Sequence, residues 1–184
     1  MIKVVVLLAN GFEDVEALGP IDLMRRAGFE VVIAGIGGTE ITSSHGVVFK
    51  ADCDIETLSA DGWNCVFAPG GMPGAVNISQ SWKANEMLIN AANTDGAIVS
   101  AICASPAVVL GPLGLLAGRE ATCYPGCEDF FPGFSFLADG VVVSGNSVTA
   151  KSVGYSFDLA LKLIEMLAGL DVSNKVRNQI YYKV

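Results

Sequence analysis

"AIVSAICASPAVVL", residues 97–110, runs from an apolar, β-branched stretch through one cysteine into a segment of small residues with a proline. The first half is a continuous apolar run, the pattern of a strand covered on both faces. The second half can open a helix near Ala104, since proline is tolerated in a first turn. Cys103 therefore sits where a strand turns into a helix. Continuous apolar strands followed by helices make a parallel sheet, because parallel neighbours need a crossover. Ligands of such sheets bind beyond the carboxyl ends of the strands, where Cys103 lies.

Working outward, the same alternation repeats. "IKVVVLLA" (2–9), "FEVVIAG" (29–35) and "NCVFAPGG" (64–71) read as strands, the last ending in a glycine turn. A helix is expected from about Asp14 to Ala27, with acidic residues at its positive end, Arg25 and Arg26 in its last turn, and a kink or late start at Pro20. "EITSSHGVVFK" reads as a short hairpin and 81–93 as a helix. "GREATCY" (118–124) and "GVVVSGNSVTA" (140–150) supply later strands. Helices follow in "VGYSFDLALKLIEMLAG" and from Asp171 onward. The expected fold is an α/β three-layer sandwich with a mostly parallel central sheet, as a single domain over 1–184.

The 184 residues can bury a full core, and 52% are hydrophobic against 16% charged, which excludes disorder. A net charge of −8 without a basic cluster argues against nucleic acid and anionic membranes as partners. The region 97–118 is interrupted by Pro106, Pro112 and three glycines, so no transmembrane span is expected. "VVVLLA" is too short for a signal peptide. Five cysteines (53, 65, 103, 123, 127) form no CxxC pair, and His45 is the single histidine, so no metal site is expected. The odd cysteine count fits free thiols in a reducing cytoplasm.

Three features fall at the carboxyl ends of the expected strands. Cys103 has the position of a nucleophile elbow, and a helix N-terminus favours its thiolate; a small core residue would fit the same place. Gly70 and Gly71 could bring backbone N–H groups close to an oxyanion, or simply turn the chain. Glu16 could hold and shuttle a proton near a thiolate, or serve only the helix dipole beside Glu13 and Asp14. His45 reads as a solvated loop residue. Cys123 and Cys127 read as packing residues or resolving thiols.

Taken together and in order, "LLANGFEDVEA", "DLMRRAGFEVVIAG", "VFAPGGMPGA", "GAIVSAICASPAVVL" and "SFDLALKLIEML" resemble the ThiJ/PfpI superfamily, in the branch of the parkinsonism-associated deglycase. The resemblance spans nearly the whole chain. It implies a flavodoxin-like sandwich, a homodimer, Cys103 as the reactive cysteine and Glu16 as its acidic partner. It also implies that the backbone N–H groups of Gly71 and Ala104 face the substrate oxygen. Activities it implies are a cofactor-independent glyoxalase or deglycase acting on small 2-oxoaldehydes, or, alternatively, a non-enzymatic cysteine redox sensor or redox-regulated chaperone in oxidative stress.

Departures from the family pattern are informative. Residue 104 is alanine where the peptidase-like branch has histidine, which disfavours a Cys-His protease. Tyr124-Pro125 stands where several members place histidine before proline, and Tyr124 is a poor base near neutral pH. Ser152-Val153-Gly154-Tyr155 replaces Gly-Pro-Gly-Thr. The Cys103–Glu16 pair is expected to ionise stepwise, with a thiolate beside a neutral carboxyl. The family dimer implies an interface at the Glu16–Ala27 segment and the His45 region.

Overall fold

A computed structural model describes residues 1–183. Strands β1 (Lys3–Ala9), β2 (Glu30–Ile36), β5 (Cys53–Asp54), β6 (Cys65–Ala68), β7 (Ile98–Ile102), β8 (Val141–Ser144) and β9 (Ser147–Ala150) form one sheet in the order β5-β2-β1-β6-β7-β9-β8. Every pairing is parallel except that of β8 with β9. Strands β3 (Glu40–Thr42) and β4 (Val48–Lys50) make the expected separate hairpin.

The continuous apolar runs arise because both faces of the sheet are covered. Along β1, Val5, Leu7 and Ala9 face one core, with Ile78, Met87, Leu88 and Leu110. Val4, Val6 and Leu8 face the other, with Ile21, Leu23, Met24, Leu159 and Leu163. The first layer holds α2 (Gly74–Gln80) and α3 (Trp82–Asn93); the second holds α1 (Asp14–Arg26), α4 (Ser156–Ala168) and α5 (Leu170–Gln179). This is the three-layer arrangement expected from sequence. From β1 the chain builds outward to β2 and β5, then returns to build β6, β7 and β9 on the other side. The reversal lies between β1 and β6, the point where open α/β sheets form their crevice.

Four local readings change. α1 starts on time and continues through Pro20, which is buried; the helix accepts the loss of one N–H donor. The segment after Cys103 forms a π-helical turn, Pro106–Leu110, with Gly111 N–H donating to Pro106 O at 3.0 Å, instead of a regular α-helix. Residues 118–124 form no strand, because β7 already has β6 and β9 as neighbours and its edges are taken. Their donors are met individually: Glu120 N–H by Ser144 Oγ, Thr122 N–H by Thr149 Oγ1 and Tyr124 N–H by Cys103 O. Finally, α2 is a short helix with no sequence expectation behind it.

Candidate active site

Cys103 follows β7 with φ of 64°, a left-handed conformation unusual for a residue with a Cβ. Both of its backbone polar groups are held: its N–H donates to Ala150 O at 2.9 Å, and its O accepts from Tyr124 N–H at 2.8 Å. Such over-determination is what allows a strained residue to persist. The turn throws the side chain out from the sheet and leaves it partly exposed. The neighbouring Ser105, fully buried, donates its hydroxyl to Pro69 O at 2.5 Å. That bond ties the cysteine turn to the glycine loop, and sequence reading missed it.

The glycine loop is shaped by close approach. At Gly70 a Cβ would overlap Glu16 Oε2 and the Cys103 Cβ. At Gly71, φ is +93°, and a Cβ would overlap Glu13 N and Gly11 O. The loop in turn receives α1: Glu13 N–H donates to Gly70 O at 3.0 Å. The Glu13 carboxylate caps α1 by accepting from Glu16 N–H at 2.7 Å. Glu16 is thereby delivered inward at 1% exposure, and its Oε2 has no hydrogen-bond partner among the described residues.

The electrostatics follow from burial. Desolvation raises the Glu16 carboxyl to about 7, against opposing hydrogen bonds from the Cys103 thiol and the N–H groups of Gly70 and Val153. The Cys103 thiol is also raised, first by burial and then by the Glu16 charge; the N–H groups of Gly71 and Ala104 pull it back only in part. Burial and the Glu16 charge thus oppose the thiolate expected beside a neutral Glu16, while the N–H groups of Gly71 and Ala104 favour it. Two like charges close together and away from water repel, so the pair loses its protons stepwise, each partner raising the other. The amides of Gly71 and Ala104, expected to face a substrate oxygen, lie near the Cys103 sulfur. Val153, in the 152–155 segment that departs from the family, contributes an amide that sequence reading did not assign.

Other candidates fall outside this cluster or join it only by backbone. Tyr124 touches Cys103 through its N–H, while its side chain is 49% exposed. His45 is more than a solvated loop residue: its Nδ1 lies 2.8 Å from Asp14 Oδ2, joining the hairpin to the start of α1. Hydrogen bonding to Asp14 raises the His45 pKa. Cys123 and Cys127 are buried, and desolvation pushes both thiols up, which suits packing.

A family model described as the DJ-1/PfpI family matches residues 2–166. The chain belongs to the DJ-1/PfpI family. It is 33% identical to the Parkinson disease protein 7 homolog of Danio rerio, over 98% of this chain and 97% of that one. It is 32% identical to a deglycase of Pyrococcus horikoshii, over 81% and 89%. A solved structure of Toxoplasma gondii DJ-1, described as oxidized, superposes with a TM-score of 0.95 at 38% identity, covering 100% of both chains. The fold is therefore the DJ-1 one. Among the described residues, no helix is long and apolar enough to cross a membrane.

Proposed function

We propose that this DJ-1/PfpI protein is a cofactor-independent, cysteine-dependent glyoxalase or deglycase-like enzyme acting on small 2-oxoaldehydes. The observation that carries the reading is the convergence of the buried Glu16 carboxyl and Cys103 on Gly70, with burial raising that carboxyl to about 7, which suits general-base work at neutral pH. The kinship with a protein named a deglycase supports it.

In the proposed reaction the Glu16 carboxylate takes the thiol proton as sulfur attacks the aldehyde carbon of methylglyoxal. The resulting alkoxide, facing the amides of Gly71 and Ala104, receives that proton to give a hemithioacetal. Glu16 then moves the C1 proton to C2 through an enediol, while the C1 hydroxyl gives up its proton and the C2 oxygen gains one, leaving a thioester. The former aldehyde carbon is oxidised and the ketone carbon reduced within one molecule, so no external redox partner is needed. Water hydrolyses the thioester to a hydroxy acid and regenerates the thiol. One oxyanion donor is worth roughly 3–4 kcal/mol in other enzymes. Conversion of methylglyoxal to lactate by fully reduced protein, and its loss in Cys103→Ser, tests the reading.

A second reading uses the same residues. Peroxide would oxidise Cys103 to sulfenic and then sulfinic acid, two equivalents giving two waters, with Glu16 bonded to the product. The oxidized state of the Toxoplasma gondii relative favours it. Wild-type protein with no methylglyoxal turnover but selective Cys103 oxidation would decide for the sensor. In either case a homodimer in a reducing cytoplasm is the proposed working form.

A further inference from the structure

Away from Cys103, a cleft of about 530 Å³ opens at the carboxyl ends of β1 and β2, lined by Asn10, Ile36, Glu56, Asn77, Gln80 and Trp82, with Ser81. None of these residues belongs to the Cys103 cluster. β2 lies three strands from β7 in the sheet order, roughly 14 Å at the usual strand spacing. The cleft is thus a separate place on the ligand-binding end of the sheet.

Its lining is unusual in what it leaves unused. Trp82, at the first position of α3, is 81% exposed, and its indole N–H has no hydrogen-bond partner among the described residues. Tryptophan of that exposure forfeits a large apolar contact area, as interface and ligand-binding aromatics do. The Glu56 carboxylate has no ion-pair partner among the described residues. The nearest cation in sequence to the Trp82 ring, Lys83, is engaged by Glu86 at 3.1 Å. Asp54, which caps the turn carrying Glu56 by accepting from its N–H, adds a second negative charge close by.

The amide orientations reinforce this polarity. Asn77 spends its Nδ2 on Asn10 O at 2.8 Å, which leaves its Oδ1 as an acceptor. Gln80 makes no side-chain hydrogen bond among the described residues, so it offers a further carbonyl. An anionic ligand would meet the Glu56 carboxylate unpaired. A planar cation would find an aromatic face, a carboxylate and amide acceptors, with Ile36 to cover an alkyl stem. Arginine-type guanidinium combines stacking on tryptophan with forked donation to a carboxylate, which a compact ammonium does less well.

We infer that this cleft binds a guanidinium group, carried either by a small molecule or by an arginine side chain of a polypeptide. The stacking face is Trp82, the charge partner Glu56, and the orienting acceptors Asn77 and Gln80. The protein's net charge of −8 favours the encounter. The site does not depend on the chemistry proposed for Cys103.

The test is NMR titration of reduced protein, following the Trp82 indole N–H and the Gln80 side-chain amide. The latter serves as the reporter in Trp82→Ala, and the Trp63 indole is the internal control since it is already bonded to Ser59 O. The probes are agmatine and the tripeptide N-acetyl-Gly-Arg-Gly-amide, with the neutral citrulline tripeptide for comparison. Both cationic probes should saturate in the millimolar range, and either Glu56→Gln or Trp82→Ala should weaken them about tenfold. Cys103→Ala should bind as wild type, which separates this result from the fate of the catalytic reading. Tighter binding of the tripeptide assigns a polypeptide ligand, and tighter binding of agmatine a small one. Equal binding of the citrulline peptide, absence of saturation, or full affinity in both cleft variants would overturn the inference.

Discussion

Glu16 and Cys103 converge on Gly70, and a Cβ placed there would overlap both the Glu16 Oε2 and the Cys103 Cβ. The absent side chain is what lets a carboxyl from α1 reach a thiol at the end of β7. Gly70→Ala is therefore expected to destabilise by roughly 1–3 kcal/mol, as overpacking does, and to abolish methylglyoxal turnover. Gly154→Ala, where a Cβ would meet nothing within 4 Å, is the steric control and should leave stability unchanged. Urea unfolding and turnover measured together check this; an active Gly70→Ala would remove the contact from the mechanism.

Glu16 titrates near 4.5 when unfolded and near about 7 in the fold, where burial raises it. The folded state thus holds the proton more tightly. The stability this contributes is complete below about 4.5 and disappears as pH rises through about 7. Glu16→Gln removes the burden of a buried charge, so above neutral pH it should exceed wild type by roughly 3 kcal/mol, while at acid pH the two should match. Turnover should vanish in the same variant, since Gln donates hydrogen bonds but carries no proton between atoms. In wild type, turnover should rise with pH through about 7. Denaturation curves at acid and alkaline pH, beside a pH–rate profile, provide the check.

The sheet was legible because burial on both faces writes itself as unbroken apolar runs, as in β1 and β7. Glu16, Gly70 and Cys103 were legible as positions at strand ends and a helix start, and the resemblance supplied their pairing. What stayed hidden depended on three-dimensional satisfaction. Residues 118–124 look like a strand, yet their donors are met one by one by Thr149, Ser144 and Cys103. Ser105 looks like an ordinary small residue in a turn, and its bond to Pro69 spans 36 positions. The balance at the sulfur, where burial opposes the thiolate and the Gly71 and Ala104 amides favour it, depends on packing that the sequence does not display.

Ser105→Ala tests that long-range tie. Its hydroxyl is the donor to Pro69 O at 2.5 Å in a fully buried site, so removing it strands a carbonyl. A loss of roughly 1–3 kcal/mol is expected. The glycine loop should also loosen relative to Cys103, lowering turnover while the thiol remains present and titratable. Unchanged stability would mean that water replaces the hydroxyl and that the tie does not hold the loop.

The proposed homodimer rests on exposed apolar side chains next to the His45–Asp14 link: Val15 at 46%, Val47 at 49% and Val48 at 61% exposure. Exposed valines at a helix start and on a hairpin are the kind of side chains an association surface would cover. Val48→Glu would place a charge there without disturbing a packed core. Light scattering at micromolar concentration should give a dimer for wild type and a monomer for this variant. Monomeric wild type would end the dimer proposal.

Cys103 itself offers the sharpest separation of stability from activity. Its φ of 64° is strained for any residue with a Cβ and strain-free for glycine, while the bonds to Ala150 and Tyr124 hold the backbone there regardless. Cys103→Gly should therefore fold with stability equal to wild type or about 1 kcal/mol above it. Cys103→Ser should match wild type, and Cys103→Val, with a branched Cβ, should fall below it. All three should lose turnover and selective peroxide oxidation. Thermal unfolding of the series, read against methylglyoxal kinetics, checks the order. A glycine variant clearly less stable than wild type would show that the thiol's packing outweighs the strain, and the turn would then be a structural device instead of a way of presenting sulfur.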